Sequence, residues 1–224
     1  MDLLEAIKKR HSVRQYSDKK IEGNIKKDLL DAIDKCNRES GLNIQLCLDN
    51  EEVFNGGFFA RFISFKNVRN CIAIVGKKSK DLDEKTGYYG EKLVIKATQL
   101  GLNTCWVAGG YNKSKVNVEI EKDEKLVIVI AIGYGIDDGK AHKVKPIEKL
   151  GSAKGEMPQW FEKGLESAQL APTARNQQKF KFILLNDNIV KAETSFGFFT
   201  KIDLGIAKYH FEIGADSKEW SWES

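Results

Sequence analysis

Arg10-His11-Ser12-Val13-Arg14 sets two guanidinium groups and a hydroxyl at alternate positions. No helical apolar period runs through this stretch, so it reads as extended, and in an extended chain residues i, i+2 and i+4 share a face. Arg10, Ser12 and Arg14 then point one way. Two planar forks and a hydroxyl suit a phosphate and the polar edge of a ligand; the bland alternative is a solvated basic segment. Ala171-Pro172-Thr173-Ala174-Arg175-Asn176-Gln177-Gln178 offers neutral donors and acceptors on a loop between a helix end and a strand. An uncharged conjugated ring with carbonyl and N–H edges needs such groups, although the same residues can simply satisfy their own backbone. Gly101-Leu102-Asn103-Thr104-Cys105-Trp106-Val107-Ala108-Gly109-Gly110 ends in small residues that would permit close approach to a flat ligand, or else forms a core strand around Trp106. Lys143-Val144-Lys145 could add charge at a phosphate or merely be solvated.

The elements that must position these groups follow from periodicity. Leu3, Leu4 and Ile7 mark an opening helix that ends near Arg10, and a second helix spans about residues 25–35 with Leu29, Leu30 and Ile33 on one face. Residues 42–48 alternate like a half-buried strand, whereas 71–75, 104–108, 126–132 and 180–185 are apolar runs of strand length. The charged residues 77–85 read as a surface loop. A long helix follows over about 88–100, with Gly101 at its end. A further helix begins at Pro158 and carries Phe161, Leu165 and Ala168 inward until Ala171-Pro172 stops it. Ile202, Ile206, Tyr209 and Ile213 mark a last helix, and residues 220–224 read as a tail. Residues 49–70, with five phenylalanines between 54 and 65, read as irregular, the aromatics plugging the core.

A weak internal repeat is visible. A shift of 138 residues carries Leu46-Cys47-Leu48-Asp49-Asn50 onto Leu184-Leu185-Asn186-Asp187-Asn188, and a shift of 113 carries Leu93, Leu100 and Gly101 onto Ile206, Ile213 and Gly214. The expectation is a first pseudo-repeat over 1–140 and a shorter second one over 156–224, within one integrated domain.

Composition bounds the function. An apolar share of 42% and a charged share of 30% describe an ordinary globular chain. The net charge of +4, with both signs interspersed, gives no nucleic-acid signature and suits a phosphate-bearing small molecule. No apolar run spans a bilayer and no signal peptide is evident, so a cytoplasmic protein without a membrane partner is expected. Cys36, Cys47, Cys71 and Cys105 show no metal spacing and read as buried thiols, so no metal is expected. Cys105 in particular reads as a packing residue with no cation nearby to activate it. His11, His142 and His210 are scattered, with no Ser-His-Asp or Cys-His arrangement.

Taken in order, Arg-x-Ser-x-Arg after an opening helix, Gly-Leu-x-Thr-Cys-Trp after a long helix, and Ala-Pro-Thr-Ala-x-Asn-Gln-Gln before a strand resemble the FMN-dependent nitroreductase family. The resemblance is greater to its subgroup in which the Asn-Gln loop comes late in the chain. Ordinary members carry that loop within a few tens of residues of the first motif, where this chain reads Cys36-Asn37-Arg38-Glu39-Ser40-Gly41.

The resemblance implies an α/β (α+β) fold, with a central, mostly antiparallel sheet flanked by helices. It implies FMN as cofactor, NADH or NADPH as donor, and ping-pong hydride transfer to a nitroaromatic, quinone or similar small-molecule acceptor. No side chain is then catalytic, because the flavin carries the chemistry. Arg10, Ser12 and Arg14, with His11 in support, would hold the phosphate, ribityl chain and pyrimidine edge. Trp106 and Val107 would offer backbone groups beside the flavin, and Lys143 and Lys145 a basic pair near the phosphate. Pro172, Thr173 and Asn176 would approach the isoalloxazine. Ordinary members are homodimers that build each flavin site from both subunits. Each of the two binding segments occurs once here, so the expectation is a monomer that imitates the dimer and holds one flavin. The rival class is a flavin-storage or redox-sensing protein without turnover, its ring face blocked by aromatics of residues 54–65 or 196–199.

Overall fold

The apolar periods become helices and strands where the sequence places them, with longer ends. A computed structural model describes residues 1–54, 65–216 and 219–223. In chain order its elements are α1 (Leu3–Lys9), α2 (Gly23–Ser40), β1 (Asn43–Cys47), β2 (Cys71–Lys77), α3 (Leu82–Gln99), β3 (Asn103–Val107) and β4 (Glu124–Gly133). Then follow α4 (Ile147–Leu150), β5 (Gly151–Ala153), α5 (Gln159–Ala168), β6 (Phe180–Leu184), β7 (Ile189–Thr194), α6 (Thr200–Ala215) and β8 (Ser221–Trp222). The mixed α+β class and the antiparallel sheet are present, and the strands divide into two four-stranded sheets.

The chain forms two compact units, and neither is contiguous. One comprises Lys9–Leu82 and Lys92–Ala141. Its sheet has the order β1-β2-β4-β3, antiparallel throughout. Its middle strands need no polar face: Cys71 to Val75 and Val129 to Ile132 are all at most 1% exposed. The β2–β4 register shifts between Ile74 and Val75, a bulge that bends the strand. On α2 the buried face is Leu29, Ile33 and Cys36. Leu30, grouped with them by period, is 38% exposed, because one residue further on turns the side chain by about 100°.

The other unit comprises Met1–Lys8, Asp83–Glu91 and His142–Ser224. Its sheet has the order β5-β6-β7-β8, with β6 and β7 antiparallel and both outer pairings parallel. The expected loop over 77–85 is corrected here: β2 runs to Lys77 and α3 starts at Leu82. The early turns of α3 carry little apolar signal because they pack by smallness. A Cβ on Gly87 would lie 2.0 Å from the Ile202 carbonyl oxygen, and one on Gly205 would lie 2.0 Å from that of Glu84, so the α3 and α6 backbones touch. The expected tail is corrected too. Ser221 and Trp222 pair with Ile189 and Val190. Trp220 stacks on Trp160 with ring centroids 5.8 Å apart, and Trp222 meets Phe182 and Phe211.

The order helix, strand, strand, helix, strand is written twice, as α2-β1-β2-α3-β3 and α5-β6-β7-α6-β8. The first copy carries its extra chain between β1 and β2, and β4 has no counterpart in the second. The first turns of α3 belong to the compact unit that holds α6, on which they pack. Of the phenylalanine-rich segment, residues 55–64 lie outside the described part, while Phe54 packs on Phe65 in the core.

Candidate functional site

The arginine segment is fixed by its apolar members. Val13 is 1% exposed and Tyr16 3%, both in the core of the β1-β2-β4-β3 unit. The segment is also laced on both sides. Val13 N–H donates to the Thr104 carbonyl at 3.0 Å, and Tyr16 N–H to that of Lys66 at 3.0 Å. Lys66 N–H donates to the Arg14 carbonyl and Ile136 N–H to that of Gln15, each at 3.0 Å. The Tyr16 hydroxyl donates to the Val13 carbonyl at 2.7 Å, and burial pushes its pKa well above the ordinary value. With Val13 turned inward, its neighbours Ser12 and Arg14 turn the other way.

The charges of Arg14 and Arg10 and a hydrogen bond from Ser12 all act on the Cys105 thiol. Arg10 is 5% exposed, Ser12 half-buried and Arg14 exposed, so the donors run from the interior to the surface. This corrects the expectation that no cation lies near Cys105. The packing role still follows, because burial outweighs both arginines and raises the thiol's pKa. His11 Nδ1 lies 3.2 Å from the Asp138 carbonyl oxygen. Gly139 closes over it, since a Cβ there would come within 2.9 Å of the His11 Cβ. Trp106 and Val107 pair with Ile130 and Val129 at the end of β3; Val107 is buried and Trp106 half-buried.

The loop at 171–178 is built within the other unit, as a knot. Asn176 Nδ2 donates to the Lys143 carbonyl at 2.8 Å, and its Oδ1 accepts from Gln178 Nε2 at 2.8 Å. Gln178 N–H donates to the Thr173 hydroxyl at 3.1 Å. Lys145 Nζ donates to the carbonyls of Gln177 and Gln178 at 2.9 and 2.7 Å. The two lysines therefore play different parts. The Lys145 ammonium clips the loop, and Lys143 is exposed while its carbonyl receives two side chains. Arg175, Asn176 and Gln178 all have positive φ, between 43° and 54°, a cost this network sustains. Pro172 and Thr173 are half-buried beside it.

Two residues outside the sequence motifs hold the knot. Asp203, in the first turn of α6 and 3% exposed, accepts from Ala174 N–H at 2.9 Å and from Gln177 Nε2 at 2.7 Å. Burial pushes its pKa up to about 6 against those two hydrogen bonds. Gln169 Nε2 donates to the Lys145 carbonyl at 2.7 Å. The available signal was an acid flanked by Ile202 and Leu204 on an otherwise apolar helix.

The profile of the family described as "Putative TM nitroreductase" matches residues 2–215. The chain belongs to this family. Among solved structures, a "putative nitroreductase" of Thermotoga maritima is similar at 24% identity and a TM-score of 0.69, over 96% of this chain and 83% of that one. A nitroreductase family protein of Streptococcus pneumoniae is 19% identical with a TM-score of 0.54, over 66% and 98%. A "putative nitroreductase" of Desulfovibrio desulfuricans, solved in complex with FMN, is 15% identical with a TM-score of 0.54, over 70% and 98%. At these identities the likeness is one of fold. No curated protein sequence matches the chain.

Proposed function

We propose that this nitroreductase-family chain binds one FMN and transfers electrons from NADH or NADPH to a nitroaromatic, quinone or similar acceptor. The observation that carries the reading is that Arg10, Ser12 and Arg14 stand at alternate positions on a segment locked by Val13 and Tyr16, and all act on one neighbouring thiol. The donor set fits a phosphate monoester: two guanidiniums, one of them nine-tenths buried, and a hydroxyl, on a backbone fixed by its hydrogen bonds. His11 and Gly139 brace this segment from behind, and the backbone at Trp106 and Val107 borders it. Bound FMN would supply the redox chemistry, accepting a hydride and passing the electrons on.

The 171–178 loop has a different role. After its bonds within the knot, the exposed Asn176 amide keeps one further donor and one further acceptor, neutral groups suited to a ring edge. Pro172 and Thr173 add a rigid, half-buried shoulder. Lys145 and Asp203 act on the ligand only through the loop they hold.

A storage protein would need aromatics laid over the ring. Among the described residues, Phe196 and Phe198 are 100% and 89% exposed and Phe54 packs in the core, which speaks against such a cover; Phe58, Phe59 and Phe62 lie outside the described residues. The proposal carries with it a cytoplasmic monomer; among the described residues no helix is long and apolar enough to cross a membrane. Light scattering with a flavin count then gives the mass of one chain and one FMN.

The direct test is affinity for FMN against riboflavin, which lacks the phosphate. Replacing Arg10 or Arg14 by Ala is expected to cost about 1.5–3 kcal/mol of FMN affinity, because hydrogen bonds to a charged group are lost. Riboflavin affinity should change little, and Arg10→Lys should rescue only in part. Unchanged FMN retention in the double alanine variant would remove the assignment.

A further inference from the structure

Cys47 and Cys71 are direct partners in the β1–β2 register, the last pair of an antiparallel ladder. Residues facing each other across such a ladder have Cα atoms about 4.5 or 5.5 Å apart. A disulfide requires about 4.4–6.8 Å, so either kind of pair can be bridged without moving the backbone far. The two thiols are in hydrogen-bond contact. Cys47 Sγ also donates to the Asn117 carbonyl at 3.4 Å. β1 is an edge strand of its sheet, paired on one side only. Cys47 lines a cavity of roughly 340 Å³ with Leu46, Leu48, Asp49, Asn50 and Asn117, room enough for a small thiol reagent.

We propose that Cys47 and Cys71 form a thiol–disulfide exchange site, with Cys47 the attacking thiol and Cys71 the resolving one, and a low-molecular-weight disulfide such as glutathione disulfide as the oxidant. The Cys47 thiolate, its proton released to solvent, attacks one sulfur of the small disulfide. One thiolate leaves and takes up a proton, and a mixed disulfide stands in the cavity. Cys71 then loses its proton and displaces the second small thiol as the Cys47–Cys71 bond forms. Two protein thiols are oxidised and one small disulfide is reduced to two thiols, so atoms and electrons balance.

The direction of attack has support from the thiols themselves. Donation from Cys71 pulls the Cys47 pKa down, whereas that same donation, with burial, pushes Cys71 up. The bond would tie together both ends of the connection over 48–70. That connection returns through Lys66, which pairs with the arginine segment, and Asn70, whose carbonyl accepts from Ile132 N–H. In a reducing cytoplasm such a bond is transient and reports redox state rather than stapling the fold.

The test is equilibration of the intact, folded protein in glutathione buffers from reducing to oxidising, followed by acid quench, alkylation and peptide mass mapping. The expected product is 2 H lighter, with a Cys47–Cys71 cross-link that dithiothreitol reverses, while Cys36 and Cys105 stay alkylatable after unfolding. Cys71→Ser should trap glutathione on Cys47, and Cys47→Ser should leave Cys71 unmodified. Cys47 and Cys71 both still thiols in the oxidising buffer would overturn the proposal. So would a wild-type mixed disulfide that Cys71 never resolves, or a cross-link to Cys36 or Cys105. The wild-type measurement decides the matter even if a serine variant does not fold.

Discussion

Replacing Asp203 by Asn removes a charge that the fold buries at a cost. The carboxyl is 3% exposed and its pKa stands at about 6, against an ordinary 3.8, because burial outweighs the hydrogen bonds from Ala174 N–H and Gln177. The folded protein therefore holds this proton more tightly than the unfolded chain does. The contribution to stability is fully present below pH 3.8 and is lost as pH rises through 6. From 3.8 to about 6, at about 1.4 kcal/mol per pH unit, the loss is about 3 kcal/mol. Asn keeps the shape and cannot ionise, so its profile lacks this loss. The assay is urea unfolding followed by the fluorescence of Trp160, Trp220 and Trp222 at several pH values from about 3.5 to about 8. The difference between the two proteins should move by about 3 kcal/mol in favour of the Asp203→Asn variant across that window, most of it between about pH 4 and 6. The variant should also lose order in the loop, since an amide N–H₂ now faces the Gln177 N–H₂; faster proteolysis at Arg175 reads this out. Parallel profiles, or a difference moving in favour of wild type as pH rises, would refute the assignment of a buried, strained carboxylate.

Other expectations follow from packing. Cys105→Ala should leave turnover within a few-fold and cost about 1 kcal/mol of stability, since burial keeps this thiol protonated beside two arginines; full loss of activity with flavin still bound would contradict it. Gly205→Ala should cost ~3 kcal/mol in chemical denaturation, because its Cβ would meet the Glu84 carbonyl oxygen at 2.0 Å and the Tyr88 nitrogen at 2.7 Å. Truncation before Trp220 should lower the melting temperature clearly, since it removes β8 and the ring contacts to Trp160, Phe182 and Phe211, each about 0.5–1.5 kcal/mol. An unchanged melting temperature would return those residues to the status of a tail.

Sequence period reveals an element when one face is apolar and long enough to repeat. α5 met that condition: Phe161, Leu165 and Ala168 are all at 0% exposure, as their spacing requires. The middle strands met it as unbroken apolar runs. β7 did not, because of its six residues only Val190 is buried. β8 has two residues and gains its identity from partners some thirty positions away in β7. The early turns of α3 were hidden for another reason, since contact through Gly87 and Gly205 leaves no hydrophobic mark. In the site, alternation was legible for Arg10, Ser12 and Arg14 because Val13 between them is apolar. The loop's network was not, because Lys143, Lys145, Gln169 and Asp203 reach it from three separate stretches of chain.

The central claim is that this family member turns over a bound flavin rather than storing it. The measurement is anaerobic rapid mixing of the FMN-loaded protein with NADH and, separately, NADPH, followed by addition of a nitroaromatic or a quinone. The account expects the flavin absorbance near 450 nm, roughly the usual position for an oxidised flavin, to bleach with at least one donor and return with the acceptor. A protein that stays yellow with both donors while holding one FMN per chain would contradict it.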